Sequence, residues 1–335
     1  MPELLGLYGA HVRAALATRL ARTRPAPFLD ALVADYPSRP GKMMRPAITI
    51  AASCAFGGRV GDALPLAVAI ELFHNALLIH DDIEDESEIR RGRPTLHALH
   101  GVPLALNAGD ATMLVALSAL AEGVAALPPG PARAILAQAE RMARESAEGQ
   151  ALELGWRADP AIAVTEADYL RMVLKKTAWM SLIFPLQAGV LASGARDIDL
   201  DALARFGFFL GAAFQIQDDL LNLVADGRYG KERLGDLQEG KRTLMAIRLA
   251  TDREPGVRAA ARAWLQAPRA ARTAAMIADI HALMQERGAI AHARAAAHGL
   301  AGAAAHEFEA IAAALPLSDD RAFLAGLVPW VFERT

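Results

Sequence analysis

Apolar residues recur at three- and four-residue spacing along almost the whole chain, as in the run Leu203, Phe206, Leu210 and Phe214. This period places the apolar side chains of a segment on one face of a helix. Glycine and proline clusters end such segments, for example at 37–41, 92–94 and 127–131, and these residue types stop helices and form the loops between them. Alternating apolar and polar runs, which indicate strands, are not found. The sequence therefore predicts an all-α fold with short loops.

The chain is long enough to bury a large core and shows no sign of division into two units. It has 335 residues, 53% of them hydrophobic, and neither an internal repeat nor a linker rich in serine and glycine interrupts them. We therefore expect a single domain over residues 1–335. The formal net charge of −3 disfavours a nucleic-acid-binding protein, because such a protein needs a broad basic face.

Three features predict a cytoplasmic chain without an integral membrane segment. The first residues lack the basic segment followed by an apolar core that marks a secretion signal. The longest apolar stretches, Ala111–Leu127 and Trp179–Ala195, are interrupted and fall short of the ~20 clean residues that span a bilayer. Cys54 is the single cysteine, so no internal disulfide requires an oxidising compartment.

Two acidic clusters, far apart in the chain, each end an apolar helical segment. The first holds Asp81, Asp82 and Asp85, and the second holds Asp218 and Asp219. Like charges at helical spacing repel one another, and a divalent cation removes that repulsion. Because Mg²⁺ combines a few carboxylates with water and phosphate oxygens, two facing clusters predict a site for a metal-bound diphosphate. A solvated helix end is the alternative interpretation of either cluster alone, and zinc is disfavoured because His/Cys ligand spacing is missing.

Basic residues lie close in sequence to both clusters. Lys42 and Arg45 precede the first, Arg90 and Arg91 follow it, and other lysines flank the loop after the second. Ammonium and guanidinium groups beside a metal site indicate phosphate ligands. The alternative for the arginines is helical ion pairing, such as Glu86 with Arg90, which contributes only ~0.3–0.5 kcal/mol.

A histidine also shares a helix with the first cluster. His74 lies seven residues before Asp81, nearly two turns, so both side chains project from about the same face. A buried core histidine is the alternative interpretation of His74.

Taken in order along the chain, these segments resemble the trans-isoprenyl diphosphate synthase (polyprenyl synthetase) family, and within it the geranylgeranyl-diphosphate-synthase type. The matching motifs are Gly41-Lys42-x-x-Arg45-Pro46, Glu71-x-x-His74, Asp81-Asp82-x-x-Asp85, Arg90-Arg91-Gly92-x-Pro94-Thr95, Gly149-Gln150, Lys176-Thr177, Phe214-Gln215-x-x-Asp218-Asp219 and Gly240-Lys241-x-Thr243. The resemblance implies a helical bundle of the isoprenoid synthase type with a central cavity, a homodimer, and Mg²⁺ as cofactor. One departure is Asn222, where the family's second acidic motif often ends in aspartate.

The resemblance also implies an activity: condensation of isopentenyl diphosphate with an allylic diphosphate to a longer all-trans polyprenyl diphosphate, with C20 geranylgeranyl diphosphate as the expected product. Isopentenyl diphosphate would be held by Lys42, Arg45, His74 and Arg91. The allylic diphosphate would be surrounded by Arg90, Lys176, Thr177, Gln215, Lys231 and Lys241. Mg²⁺ would be carried by Asp81, Asp85 and Asp218, and the catalytic set would also include Asp82, Asp219, Lys176 and Lys241.

Product length in this family depends on side chains upstream of the first aspartate. A bulky aromatic four or five residues upstream stops growth early, and this chain has Leu77 and Ala76 there, so Phe73 becomes the next candidate floor. Two other functions stay open. A terpene cyclase would need no second diphosphate pocket. The presence of Lys42, Arg45, His74 and Arg91 therefore argues against a cyclase. A non-catalytic subunit of a two-chain synthase would usually have lost the acidic residues, whereas this chain has both acidic clusters.

Overall fold

A computed structural model describes residues 1–21, 26–159, 161–224 and 234–333. The fold is all-α, as predicted from the helical periodicity. The α-helices are α1 (Pro2–Leu20), α2 (Asp30–Ser38), α3 (Met44–Ala55), α4 (Val60–Glu84), α5 (Leu96–His100), α6 (Val102–Ala125), α7 (Pro129–Ala158), α8 (Glu166–Val173), α9 (Phe184–Ala192), α10 (Leu200–Val224), α11 (Gly235–Glu239), α12 (Leu244–Ala250), α13 (Pro255–Gln266), α14 (Ala274–Glu286), α15 (Ala289–Ala312) and α16 (Asp319–Glu333). A π-helix (Leu174–Ile183) joins α8 to α9, and a short 3₁₀ helix (Arg269–Ala271) precedes α14.

Two long helices carry the acidic clusters and organise the bundle. The first, α4, packs along α3 and α6, and the second, α10, packs along α15 and the π-helix. Both are apolar over most of their length because they are covered by neighbours on several sides. Each helix delivers its acidic residues at its C-terminal end, so the fold carries the charged groups on rigid elements.

A short hairpin follows the first acidic cluster, which the sequence analysis did not predict. Strands β1 (Ile89–Arg90) and β2 (Arg93–Pro94) pair in antiparallel fashion. Arg91 and Gly92 form the turn with φ values of 53° and 74°, the left-handed conformation that two-residue hairpin turns require. The buried Arg39 guanidinium donates to the carbonyl oxygens of Arg90 and Pro94 at 3.0 and 2.8 Å. These hydrogen bonds tie both strands of the hairpin to α2 through the residue that follows it, Arg39.

A close helix contact places the Lys176-Thr177 segment. A Cβ at Gly149 on α7 would overlap the backbone nitrogen of Lys176, so only glycine allows α7 to approach the π-helix this closely. From the other side, a Cβ at Gly211 on α10 would lie 2.7 Å from the Cβ of Ala178. Interruptions of the regular helix of this kind occur frequently at functional sites.

Two helices of the described residues are long and apolar enough, by composition, to cross a membrane. They are α4 and α6, whose most apolar 18-residue stretches are 67% and 39% buried within the fold. The first is the central core helix of the bundle. The second keeps an exposed apolar face, which includes Val102, Leu114 and Leu117.

Gly149→Ala should destabilise the fold, because the added methyl group overlaps the π-helix backbone. We expect the free energy of unfolding to fall by about 1–3 kcal/mol, measured by denaturant unfolding. Gly155→Ala is the matched control, since it lies on the same helix with no atom near the new Cβ. That control should be neutral or stabilising by up to about 1 kcal/mol. Equal effects of the two substitutions would contradict the close-approach interpretation.

Candidate active site

The two acidic clusters line one cavity. A cavity of about 700 Å³ lies between α4, α7, the π-helix and α10, and Asp81, Asp218 and Asp219 are all on its wall. The same wall carries the side chains predicted to surround a diphosphate: Arg90, Lys176, Thr177, Gln215 and Lys241. Lys231 lies outside the described residues. Clusters far apart in the sequence thus meet in space, as the metal-diphosphate interpretation requires.

Two half-buried lysines connect the first acidic cluster to the second half of the chain. Lys176 donates to Asp81 at 3.2 Å and forms an ion pair with Glu153. Lys241 donates to Asp85 at 3.1 Å and pairs with Glu239 at 2.9 Å. Although burial acts against the charged ammonium, Asp81 and Glu153 raise the pKa of Lys176 above its ordinary value. Both lysines are therefore charged, and each can transfer its hydrogen bonds to an incoming anion.

The three aspartates of the first cluster lie in three different surroundings. Asp81 lines the large cavity. Asp82 is buried beneath it, where it accepts hydrogen bonds from the Arg90 Nε at 2.8 Å and from the Tyr36 hydroxyl. Asp85 is the C-cap residue of α4 and faces a small adjoining cleft, where Arg157 lies 2.9 Å from its Oδ1. Asp82 thus holds Arg90 in place, and its predicted catalytic role stays a prediction.

The second cluster is tied into a hydrogen-bonded chain. The buried Tyr169 hydroxyl and the Gln215 amide both donate to Asp219, at 2.7 and 2.8 Å, and Thr177 donates to Gln215 at 2.9 Å. Burial, Asp236 and Asp218 raise the pKa of the Asp219 carboxyl to about 8. The neighbouring carboxylates therefore disfavour a further negative charge on this wall of the cavity, and a bound cation would favour the ionised form of Asp219.

Asn222, at the position where the family often has aspartate, accepts hydrogen bonds from the segment around α11. Its side-chain oxygen accepts a hydrogen bond from the Asp236 amide at 3.1 Å, and its carbonyl accepts one from Leu234. An aspartate here would add another negative charge beside Asp219 and Asp236. The amide holds α11 against α10 without that charge.

A smaller cavity of about 310 Å³ holds the other predicted basic residues. Lys42, Arg45, His74 and Arg91 line it. Arg45 contacts the His74 Nε2 at 3.1 Å and donates to the Ser181 hydroxyl at 2.7 Å. Residues on the boundary line both cavities: Arg45, His74, Arg91, Ser181 and Phe214. The two cavities therefore adjoin, and a molecule in each would meet at this boundary.

The polyprenyl synthetase family model matches residues 26–284. The chain belongs to the polyprenyl synthetase family. A short chain isoprenyl diphosphate synthase from Methanothermobacter thermautotrophicus is 39% identical over 209 residues, which cover 62% of each chain, so the match spans less than two thirds of that relative. A geranylgeranyl pyrophosphate synthetase from Pyrococcus horikoshii matches with a TM-score of 0.87 and 29% identity over 99% of both chains. A polyprenyl synthase from Caulobacter crescentus, solved with calcium and isoprenyl diphosphate, matches with a TM-score of 0.86 and 27% identity over 100% of this chain and 98% of that one.

The residues of this polyprenyl synthetase predicted to set product length are divided between cavity and core. Leu77 lines the large cavity, beside Leu78, Met172 and Met180. Ala76 is fully buried, and Phe73 packs in the main apolar core. Leu77 is therefore the residue of the three that directly touches the cavity.

Several polar residues of the site were not found from the sequence. They are Glu153, Arg157, Ser181, Asp236, Glu239 and Arg242. Arg242 is buried, donates to the Gly240 carbonyl at 2.8 Å, and has its pKa lowered to about 10 by burial and by Arg272. Glu153 follows Gly149 of the Gly149-Gln150 motif by one helical turn, and this spacing is the sequence signal that could have indicated it. The other polar residues reach the site only through tertiary contacts.

His74→Gln should lose less stability in acid than the parent chain. Burial and the charges of Arg45 and Arg91 lower the pKa of folded His74 well below its ordinary value, whereas an unfolded histidine titrates near pH ~6.5. Protonation therefore favours unfolding, and this contribution to stability is lost as the pH falls below about 6.5. Between pH ~7 and ~5 the free energy of unfolding should fall by about 2 kcal/mol less in the variant, with the exposed His306→Gln as control. Parallel falls in all three proteins would contradict this.

Proposed function

We propose that this polyprenyl synthetase condenses isopentenyl diphosphate with an allylic diphosphate to give an all-trans polyprenyl diphosphate. The observation that carries the proposal is the pair of adjoining cavities. One combines both acidic clusters with buried cations, and the other is lined by Lys42, Arg45, His74 and Arg91. Two anionic substrates can thus be bound side by side with their reacting ends at the shared boundary.

The donor set of the large cavity fits Mg²⁺. Among the described residues no three Asp, Glu, His or Cys side chains are grouped to enclose a metal by themselves. This agrees with an ion that takes part of its ligands from phosphate and water. Asp81 and Asp218 on this cavity, with Asp85 from the adjoining cleft, would hold it, and when bound it would supply positive charge for the leaving diphosphate.

The side chains of this protein would perform the remaining steps. Lys176, Lys241 and Arg90 orient the allylic diphosphate, so that its C–O bond breaks with the electron pair leaving on the diphosphate. Isopentenyl diphosphate is held by Lys42, Arg45, His74 and Arg91. Its double bond attacks the allylic cation and forms the new C–C bond. The released diphosphate accepts the proton that is lost. Leu77, Met180 and Phe214 line the cavity and exclude water from the cation.

The two alternative functions fit the structure less well. A terpene cyclase ionises a single diphosphate, and the basic residues of the small cavity would then have no ligand. A non-catalytic subunit would not need both acidic clusters on one cavity wall. Turnover by the purified chain alone separates the second alternative from the proposed function.

We propose a C20 product. Leu77, Leu78, Met172 and Met180 supply part of the apolar lining of the large cavity. No aromatic side chain stands four or five residues upstream of Asp81, where one stops growth early in this family. The Pyrococcus horikoshii protein of the same fold is a geranylgeranyl pyrophosphate synthetase, which supports the same length.

We also propose a cytoplasmic homodimer. Val102, Leu106, Leu114 and Leu117 are exposed on one face of α6, and a contiguous apolar face of this kind marks an interaction surface. Burial of this face against a second copy would remove it from water. The same contact accounts for the low burial of α6 without a membrane.

Asp81→Asn and Asp218→Asn should each lower kcat/KM by about 100-fold or more, because each removes charge that faces the metal-bound diphosphate. The assay combines purified protein, isopentenyl diphosphate, Mg²⁺ and each of the C5, C10 and C15 allylic primers, and measures product chain length. Asp201→Asn, exposed at the other end of α10, is the control and should stay within twofold. No elongation with any primer would favour the alternative functions.

Leu77→Phe should shift the product towards C15, because a ring at this position fills part of the large cavity that Leu77 lines. Chromatography of the dephosphorylated products measures the shift. Leu99→Phe, exposed on α5, leaves the cavity unchanged and should give the product of the parent chain. An unchanged product distribution in Leu77→Phe would exclude this wall as the limit on chain length.

A further inference from the structure

The last helix supplies part of the small cavity, although it lies beyond residue 284, where the family match ends. Leu327, Trp330 and Val331 line that cavity together with Lys42. Their spacing of three and four residues places them on one face of α16. The motifs that identify the family therefore assign no role to this wall.

Trp330 contacts two groups that matter to the proposed reaction. The Lys42 Nζ lies 5.3 Å from the centroid of the Trp330 ring, within the range of a cation–π interaction. The indole also stacks on Phe214, with 6.4 Å between ring centroids and 17° between ring planes. Phe214 lies on the boundary between the two cavities.

The helix that carries Trp330 is held firmly in place. Phe323 and Leu324 are buried in the main core, and the Tyr8 hydroxyl donates to Asp320 at 2.5 Å. Lys42, in contrast, is exposed in the loop that precedes α3. The aromatic face is therefore the fixed partner, and the ammonium at the end of a four-carbon side chain is the group that gains a preferred position from it.

We propose that Trp330 is a positioning residue, which holds the Lys42 ammonium at the mouth of the small cavity for the diphosphate of isopentenyl diphosphate. This inference rests on the proposed function. Because the ammonium that Trp330 contacts faces the small cavity, removal of the ring affects the binding of isopentenyl diphosphate more than the binding of the allylic diphosphate.

The first test separates the two substrates. Trp330→Leu should raise the KM for isopentenyl diphosphate by about 3- to 10-fold, with less than a twofold change in the KM for the allylic diphosphate and in kcat. Trp330→Phe keeps an aromatic face of lower electron density and should give an intermediate value. The matched control is Phe332→Leu, which removes another ring from α16, one that stacks on His298 away from the cavity; it should leave both KM values unchanged.

The second test shows whether Trp330 acts through Lys42. In a Lys42→Gln background, Trp330→Leu should produce no further rise in the KM for isopentenyl diphosphate, because the cation that the ring holds is gone. Equal effects of Trp330→Leu with and without Lys42 would overturn the proposal, since the ring would then act by packing alone. An equal KM rise in Phe332→Leu would overturn it for the same reason.

These outcomes are distinct from a failure of the proposed function. A parent chain that neither binds nor elongates isopentenyl diphosphate overturns the condensation itself and the role of Trp330 with it. An active parent chain with additive variants overturns only the role of Trp330. If Trp330→Leu does not fold, Trp330→Phe carries the test, and an unchanged KM for isopentenyl diphosphate in that variant contradicts the proposal.

Discussion

The candidate site depends on half-buried lysine ammonium groups that stand between carboxylates. Asp81, Asp85, Asp218 and Asp219 could not share one small region of a protein interior if their charges were uncompensated. Lys176 and Lys241 reach from the second half of the chain to the aspartates of the first half. These ion pairs compensate the first acidic cluster and also place ammonium groups on the cavity wall where a diphosphate would bind. An anionic substrate would therefore take over hydrogen bonds that these ammonium groups make to carboxylates.

Two departures from regular α-helix, a π-helix and a hairpin, position basic side chains of the site. The π-helix turns Lys176 into the cavity, and it can lie against α7 only because Gly149 has no side chain. The hairpin after α4 separates two adjacent arginines. Arg90 is directed to Asp82 and Asp81, and Arg91 to the small cavity. A regular helix in either place would direct these charges elsewhere.

The sequence was sufficient for the fold class, the family and the meeting of the two acidic clusters. It succeeded because helical periodicity is local, and because Asp81 and Asp218 each end an apolar helix. It could not distinguish Asp82 from its neighbours, since the inward turn of that carboxylate depends on Tyr36 and Arg90. Arg157 and Trp330 were also missed, because each reaches its partner only through tertiary packing. The hairpin was missed because two-residue strands leave no alternating pattern.

The central claim is that both acidic clusters act on one metal-bound diphosphate. A crystal structure of the full chain with Mn²⁺ and inorganic pyrophosphate tests this most directly, because anomalous scattering locates each metal ion. We predict Mn²⁺ peaks within bonding distance of both the Asp81 and the Asp218 carboxylates, with one pyrophosphate between them and in contact with Lys176 and Lys241. Metal at one cluster only, or pyrophosphate bound outside the large cavity, would contradict the claim.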